Sequence, residues 1–252
     1  MGLGFLSRRV DVAAAASAAG VGVEEAGREA RYAFFCEVSR SHQGAPLVLA
    51  HHADDQVETF CFRLLRGAGT SGLGGMAPFS FREDGRVRVL RPLLSVWRWE
   101  IDAMVQDRGL AYREDPSNRD SRWTRNRIRH ELLPEMERVM QRPVREAIWR
   151  AAEILRAEAE WMDTCEGGET VLGEVLDVDA LGKMPLALRR RRVARWLRRQ
   201  GCQGIGFSEV EAVLGLLVRL RPAKVNLSAG CFVRRRQGQI FVEKPGSQRD
   251  CD

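Results

Sequence analysis

The chain has 252 residues, 44% of them hydrophobic and 29% charged, with a formal net charge of +6 at pH 7. That is enough to bury a substantial core and form two domains, and the basic balance favours an anionic partner such as nucleic acid. There are no repeats, no low-complexity tail beyond a few polar terminal residues, and no apolar run of membrane-spanning length, so no membrane partner is expected.

The six cysteines, Cys36, Cys61, Cys165, Cys202, Cys231 and Cys251, are scattered without a C-x-x-C pair. That pattern argues for reduced thiols in a cytoplasm and against zinc or an iron–sulfur cluster.

At the amino end, Arg8-Arg9 precedes Val12-Ala-Ala-Ala-Ala-Ser-Ala-Ala-Gly20, which resembles the short apolar core of a signal peptide. Asp11 interrupts it, and the stretch runs on into an amphipathic helix expected over Val23–Arg40, with Ala26, Ala30, Ala33, Phe34 and Val38 inward. A cytoplasmic protein is therefore expected.

Next, Leu47-Val-Leu-Ala50 reads as a strand buried on both faces, running directly into His51-His-Ala-Asp-Asp-Gln-Val-Glu-Thr59. In open α/β sheets the carboxyl ends of strands face the ligand crevice, which would place His51, His52, Asp54, Asp55 and Glu58 there. A helix is expected from Asp55 to Arg66, with Val57, Cys61, Leu64 and Leu65 on its apolar side and Gly67 as its stop. Asp55 and Glu58, three apart, share a face of its first turn. Two carboxylates so placed suit Mg²⁺, or one of them suits accepting a proton from an attacking amine. Acids in a first helical turn also simply complement the helix dipole, but the strand, paired histidines and helix together favour a site. Zinc ligation by His51 and His52 is disfavoured, because adjacent strand residues point to opposite faces.

Arg63-Leu-Leu-Arg-Gly-Ala-Gly-Thr-Ser-Gly-Leu-Gly-Gly-Met76 is a glycine-rich loop, yet no Gly-Lys-Ser/Thr follows and it fits no dinucleotide fingerprint. Phe79–Arg82 and Arg86–Leu90 flank Asp84-Gly85 as a hairpin. Arg91-Pro-Leu-Leu94 leads into a helix expected over Val96–Arg108, capped by Ser95 and stopped by Gly109. After the polar loop Glu114–Asp120, Arg122, Arg125 and Arg129 recur at helical spacing beside Trp123 and Ile128, a face suited to phosphates or a plain solvated basic face.

A long connector helix is expected over Pro143–Cys165, with Val144, Ala147, Ile148, Ala151, Ile154 and Leu155 inward and Arg145 and Arg150 outward. Gly167-Gly168 marks a boundary to a smaller α/β unit. There Leu186–Gln200 is an arginine-dense helix packing Leu188, Val193, Trp196 and Leu197 inward, with Arg189, Arg190, Arg191, Arg192, Arg195, Arg198 and Arg199 around it. A further helix opens at the capping box Ser208-Glu-Val-Glu211, and strands are expected over Val225–Leu227, Phe232–Arg235 and Gln239–Val242, joined by Ala229-Gly230 and Gln237-Gly238. Arginines of the Leu186 helix and at Arg234–Arg236 are candidates to clamp RNA backbone.

Several linked motifs carry a resemblance: Ala50-His-His-Ala-Asp-Asp-Gln-Val-Glu-Thr59, Arg63-Leu-Leu-Arg-Gly-Ala-Gly69 with Gly72-Leu-Gly-Gly-Met76, Arg91-Pro-Leu-Leu94, Glu114-Asp-Pro-Ser-Asn118 and Arg125-Asn-Arg-Ile-Arg-His130. In that order they closely resemble the bacterial tRNA(Ile)-lysidine synthase family, strongly over about residues 5–134 and more diffusely beyond.

The resemblance implies an α/β fold: a parallel-sheet, adenine-nucleotide alpha-hydrolase-like (PP-loop) ATP-pyrophosphatase domain over 1–134, lacking its first element, a helical connector over 135–166, and a small α/β tRNA-binding accessory domain over 167–252. It implies ATP and Mg²⁺ as cofactors and, as partners, free lysine and an isoleucine tRNA with a CAU anticodon, whose wobble cytidine is adenylated at its C2 oxygen before the lysine side-chain amine displaces AMP. A homodimer is left open. By resemblance, Asp55, Glu58, Arg125 and Arg129 are catalytic; His51, Ala53 and Asp55 line the nucleotide site; Asp55 and Glu58 hold Mg²⁺; and Arg63, Arg66, Arg125, Asn126, Arg127, Arg129, Arg192 and Arg195 meet the tRNA. Which carboxylate binds metal and which takes the proton is not set by spacing.

One departure bears on ATP. The family opens with a strand and a Ser-Gly-Gly-x-Asp-Ser loop around the phosphates, and no such sequence occurs here. Met1–Val12 instead resembles a later strand of the family, so a chain truncated or mis-started by about one βαβ unit and a further segment is expected. The alternative is a non-catalytic RNA-binding remnant; another ATP-pyrophosphatase ligase is disfavoured by the Arg125–His130 match.

Overall fold

Asp11 caps helix α1 (Val12–Ala19), its carboxylate accepting from the Ala14 N–H at 3.0 Å, and Gly20 closes it in the left-handed region. The chain then reverses into α2 (Val23–Ser41), which packs on α1. In this computed structural model the described residues are 4–82, 87–113, 115, 120, 122–165, 173–218, 223–227 and 230–243. The Asp84-Gly85 turn, most of the Glu114–Asp120 loop, Gly167-Gly168 and Ala229 lie outside them.

Residues 4–11 form no strand, contrary to the expectation for Met1–Val12. Arg8 instead makes a bidentate pair with Glu37 of α2 at 2.6 and 2.7 Å and lies over the Phe34 ring, which draws the segment onto the helix. On α2 the inner stripe is Ala26, Tyr32, Cys36 and Ser39, while Ala33 is exposed. Of the residues expected inward, Ala26 is buried and Ala30, Phe34 and Val38 are half-buried, and Tyr32 on the buried face lies under the Arg82 guanidinium at 4.3 Å.

A three-stranded sheet follows, ordered β1 (Leu47–Val48), β3 (Val87–Leu90), β2 (Phe79–Arg82). β1 pairs parallel to β3, with Val48 opposite Leu90; β2 pairs antiparallel, with Phe81 opposite Arg88. Val87 and Val89 are fully buried on one face. On the other, Val48, Phe79 and Phe81 are exposed, so the strand at 47–50 is not covered on both sides: β1 is an edge strand among the described residues, and Val48 remains 59% exposed.

The polar cluster at the end of β1 enters α3 (Ala53–Leu65), two residues earlier than expected, with His52 as N-cap and the Asp55 carboxylate accepting the His52 N–H at 2.9 Å. Its buried face is Ala53, Gln56, Val57, Glu58, Thr59, Phe60 and Cys61; Leu64 and Leu65, expected inward, are 52% and 69% exposed. The burial is concentrated in the first two turns, where α3 meets the segment from Thr124 onward.

The glycine-rich stretch folds back over α3 through a short helix, α4 (Thr70–Leu73). Gln56 brackets the Met76 peptide, accepting from its N–H at 2.8 Å and donating to its carbonyl at 3.0 Å. The Arg63 guanidinium donates to the carbonyls of Gly72 and Gly75 at 2.7 and 2.9 Å. Gly75 has φ +71°, and a Cβ there would stand 2.5 Å from Gln56 Oε1, so glycine is required at this approach.

α5 (Arg98–Asp107) starts two residues later than expected: Trp97 is the N-cap, its N–H donating to Glu100 at 2.7 Å, so Ser95 is not the cap. α6 (Thr124–Arg127) passes without a break into a π-helical turn, Ile128–Leu132, and on into α7 (Leu133–Met140), with Pro134 in its first turn. α8 (Arg145–Cys165) follows; Val144, Ala152 and Ala159 supply the buried stripe, while Ala147 and Ile154, expected inward, are exposed. Arg145 is drawn inward by Asp54 and Glu137, each at 3.4 Å, rather than standing on the outer face.

Contacts divide the chain into two compact units, residues 1–157 and 158–252. The second has a four-stranded antiparallel sheet ordered β4 (Val175–Asp177), β7 (Gln239–Glu243), β6 (Phe232–Arg236), β5 (Lys224–Asn226). Between β4 and the rest come α9 (Val178–Lys183), α10 (Leu186–Arg199) and α11 (Phe207–Leu214). The core is Leu176, Val193, Trp196, Leu197, Val213, Leu216, Val233 and Ile240. Gln237 and Gly238 both have positive φ, the primed turn that suits a two-residue hairpin. α11 opens at Gly206, whose N–H donates to Glu209 at 2.9 Å; the capping box placed at Ser208–Glu211 does not form, because Glu211 turns to Arg190 at 2.7 Å. Within the described residues no helix is long and apolar enough to cross a membrane.

Candidate active site

The site is built on the first two turns of α3. Three acids leave it: Asp54 meets α5 and α8, while Asp55 and Glu58 both face Arg129. Asp54 accepts the Arg98 N–H at the start of α5 at 2.9 Å and faces Arg145 of α8. Asp55 holds the His52 N–H and lies 3.6 Å from Arg129 Nη2. Glu58, 1% exposed, receives Arg129 with both oxygens, Nε at 2.5 Å and Nη2 at 3.1 Å.

The π-helical turn explains how Arg129 gets there. Arg125 and Arg129, four apart, would share a face of a regular helix. Here the wider turn beginning at Ile128 follows Arg125, whose Nε stands 3.9 Å from Glu24 of α2, while Arg129 within it turns to α3; the charges of both still reach Glu58. Burial pushes the Glu58 carboxyl above its ordinary value, and the Arg129 hydrogen bond and charge oppose that. Arg129 in turn is held above its ordinary value by Glu58, Asp55 and Asp54, against its own burial.

His51, half-buried, has Nδ1 buried without a hydrogen-bond partner. Burial lowers its pKa; Asp55 opposes, and Arg91, Arg125 and Arg28 push the same way as burial. The imidazole is therefore neutral at pH 7. Ala53 is fully buried, its N–H donating to the Val96 carbonyl at 2.9 Å.

Expected RNA contacts divide into two groups. Arg63 is half-buried in the glycine-rich loop, its pKa lowered by burial and then by Arg28 and Arg125. Asn126 donates to the Asp120 carbonyl at 2.9 Å. Arg66 lies exposed over Phe62, and Arg127 is exposed beside Glu131 at 3.4 Å. In the second unit, Arg195 and Arg191 both close on Asp163, and Arg192 is half-buried. The structure thus brings His51, Asp55, Glu58, Arg125 and Arg129 together in one place, and the arginines of α10 in another unit.

Four residues escaped the sequence reading. Arg28 of α2 acts on both His51 and Arg63, and α2 is brought there by contacts distant in sequence, Glu24 with Arg125 and Tyr32 with Arg82. Arg91 is buried, donating to the Ala77 carbonyl at 2.8 Å and to Ser80 Oγ at 3.0 Å. It lines a cavity of about 320 Å³ with Val48, Leu90, Leu94, Trp149 and Glu153. Gln56 and Arg145 hold the loop and the first turn as described above. Arg91 and Gln56 lie in motifs that carry the resemblance but were given no role, and nothing local marked Arg28 or an inward Arg145.

A magnesium ion keeps several waters and needs only one or two protein carboxylates. Asp55 fits that need: it is partly exposed and its Oδ1 is not held at hydrogen-bond distance. Glu58 does not, since Arg129 occupies both its oxygens. Among the described residues no group of three or more His, Cys, Asp or Glu gathers as a metal cage.

Residues 3–136 match the PP-loop domain family and residues 176–241 the TilS substrate binding domain. The chain is 36% identical over 253 residues to a tRNA(Ile)-lysidine synthase of Geobacter sulfurreducens, covering 94% of this chain and 52% of that protein. It is 36% identical over 228 residues to one of Thermobifida fusca, covering 88% and 68%, and 34% identical over 262 residues to one of Solibacter usitatus, covering 98% and 57%. It spans about half of the first relative and about two thirds of the second. The α/β fold with a separate accessory domain, expected from the motifs, is borne out, and the chain belongs to the tRNA(Ile)-lysidine synthase family.

Proposed function

We propose that this protein is a cytoplasmic ligase that joins lysine to C2 of the wobble cytidine in a CAU-anticodon tRNA(Ile), using ATP and Mg²⁺. The observation that carries the reading is the convergence of Asp55 and the Glu58–Arg129 pair at the amino end of α3, in a chain of this family.

Two steps are required. The cytidine C2 oxygen attacks the α-phosphorus of ATP and diphosphate leaves. The lysine side-chain amine then attacks C2, loses a proton, and AMP departs with the oxygen. Magnesium bound at Asp55 would neutralise phosphate charge in the first step. Arg129, aimed by the buried Glu58, and Arg125 offer their guanidinium groups to phosphate or to the activated base. His51, neutral, lines the nucleotide side; Ala53, fully buried and with its N–H donating to Val96, supports the turn beneath it. The amine, ordinarily protonated at neutral pH, needs a base; Asp55 has one oxygen not held at hydrogen-bond distance, so holding the metal and taking the proton are alternative roles for it. Arg63, Arg66, Asn126 and Arg127 lie along the RNA side of the first unit, and Arg192 and Arg195 belong to the second.

The test is ATP-dependent incorporation of labelled lysine into a CAU-anticodon tRNA(Ile) transcript, run with the chain as given and with any in-frame upstream sequence encoding Ser-Gly-Gly-x-Asp-Ser added. Incorporation by either protein, lost by about 10²-fold or more in Asp55→Asn with tRNA binding retained, supports the reading. Binding of the tRNA without incorporation by either protein favours a non-catalytic RNA-binding role instead.

A further inference from the structure

We propose that the second unit contacts RNA through the open face of its sheet, with Lys224, Arg234 and Arg236 taking the phosphodiester backbone. The proposal rests on the tRNA-substrate reading and identifies the surface within it.

Alternation along β5, β6 and β7 separates two faces. Val225, Val233 and Ile240 point into the core under α10 and α11, and Arg235 on that side is tied to the Leu216 carbonyl at 2.7 Å. Lys224, Arg234 and Arg236 point the other way and are exposed. Lys224 and Arg234 are direct cross-strand partners. Like charges in that register oppose folding; among the described residues Glu243, 3.0 Å from Arg234, offsets them, while Asp177, on the same face through its pairing with Gln239, is taken up in capping α9. Lys224 is held over the Phe232 ring at 4.4 Å, which fixes its ammonium on the sheet. A pair of cations placed against each other on an open face is relieved by an anion from outside, and a phosphate chain running across the strands supplies one at each position.

The arginine-dense helix is less available. Arg189 is bound to the carbonyls of Gly182 and Met184, Arg190 to Glu211, and Arg191 and Arg195 to Asp163. Their charge serves the packing of α10 against its own unit.

The experiment is equilibrium binding of a labelled CAU-anticodon tRNA transcript to the full chain over a range of salt. The double variant Lys224→Gln with Arg234→Gln is expected to bind about tenfold or more weakly near 0.1 M salt, with the slope of log affinity against log salt reduced by about 1.5, as the loss of two phosphate contacts requires. Glu243→Gln, which releases Arg234, is expected to tighten binding several-fold. Cooperative thermal unfolding shows that the variants are folded, with the midpoint of the sheet variant expected at or above the wild-type value because the like-charge pair is gone. Wild-type affinity in the sheet variant, with the loss appearing instead in Arg198→Gln with Arg199→Gln on the exposed end of α10, overturns the surface while leaving the substrate reading intact. Failure of the wild-type protein to bind any tRNA overturns both.

Discussion

Arg129 closes on Glu58 across 71 positions of sequence, Nε 2.5 Å from one oxygen and Nη2 3.1 Å from the other. The pair joins the π-helical turn to α3 beside the apolar cluster of Val57, Cys61, Ile128 and Leu133, and it fixes where the Arg129 guanidinium stands. A buried ion pair gains little over apolar packing, but stripping one partner from it leaves a desolvated charge behind.

Arg129→Met is therefore expected to cost about 3 kcal/mol at pH 7.5, because the Glu58 carboxylate stays buried without its cation. Burial already raises the Glu58 pKa, and without Arg129 it rises further. A raised carboxyl binds its proton more tightly in the folded state, so its share of stability is present at low pH and lost as pH rises through the folded pKa. The deficit relative to wild type should shrink on acidification from pH 8 to 5, measured by urea unfolding. A deficit constant over that range would show that lost packing, not lost charge, is responsible.

His51 titrates with the opposite sign. Burial, then the surrounding arginines, hold its folded pKa below the ordinary value, with Asp55 opposing. The unfolded chain takes the proton first, so this contribution to stability is complete above the ordinary histidine pKa and is lost as pH falls through and below it. Between pH 7.5 and 5.5, wild type should lose more thermal stability than His51→Asn. Parallel curves would mean that the ring has access to a compensating acid.

The cluster Ala50–Thr59 was legible because strand, turn and first helical turn are contiguous, and their chemistry follows from a few dihedral periods. The hairpin β2–β3 and helix α10 were legible for the same reason. What failed were judgements about which partner each face would find. Leu64 and Leu65 have the period of a buried stripe, yet α3 is covered only over its first two turns. Arg145 has the period of an outer face, but Asp54, 91 positions away, draws it inward. The arginines of α10 read as a solvent-facing cation field until Asp163, at the end of α8, takes two of them. The departure at Ile128 from regular helix, which aims Arg129, left no local mark in the sequence.

Gly75 and Gln56 form a close pair in the glycine-rich loop. Gly75→Ala puts a methyl group 2.5 Å from Gln56 Oε1 at a φ of +71°, and is expected to cost about 2–3 kcal/mol. Gln56→Ala costs separately, since the Met76 N–H and carbonyl lose the side chain that brackets them. In the double variant the methyl has room, so the combined loss should be smaller than the sum by about 1 kcal/mol, as expected for residues in contact. Strict additivity in a double-mutant cycle by urea unfolding would place the cost of Gly75→Ala in its backbone conformation alone.

Asp54 stands among the site's acids but is engaged as a structural tie. One oxygen accepts the Arg98 N–H that α5 leaves unsatisfied at its start, and the other faces Arg145, which also reaches Glu137. An acceptor at a helix amino end is worth about 1 kcal/mol, and the half-buried charge on Arg145 adds to that. Asp54→Ala should thus destabilise by about 1–2 kcal/mol, while Asp54→Asn, which keeps a carbonyl acceptor and loses the charge, should lose about half as much. Arg145→Met should cost less in the Asp54→Ala background than in wild type, because its partner is already gone. Equal losses for the alanine and asparagine variants in chemical denaturation would remove the hydrogen bond to α5 from this account and leave only the charge.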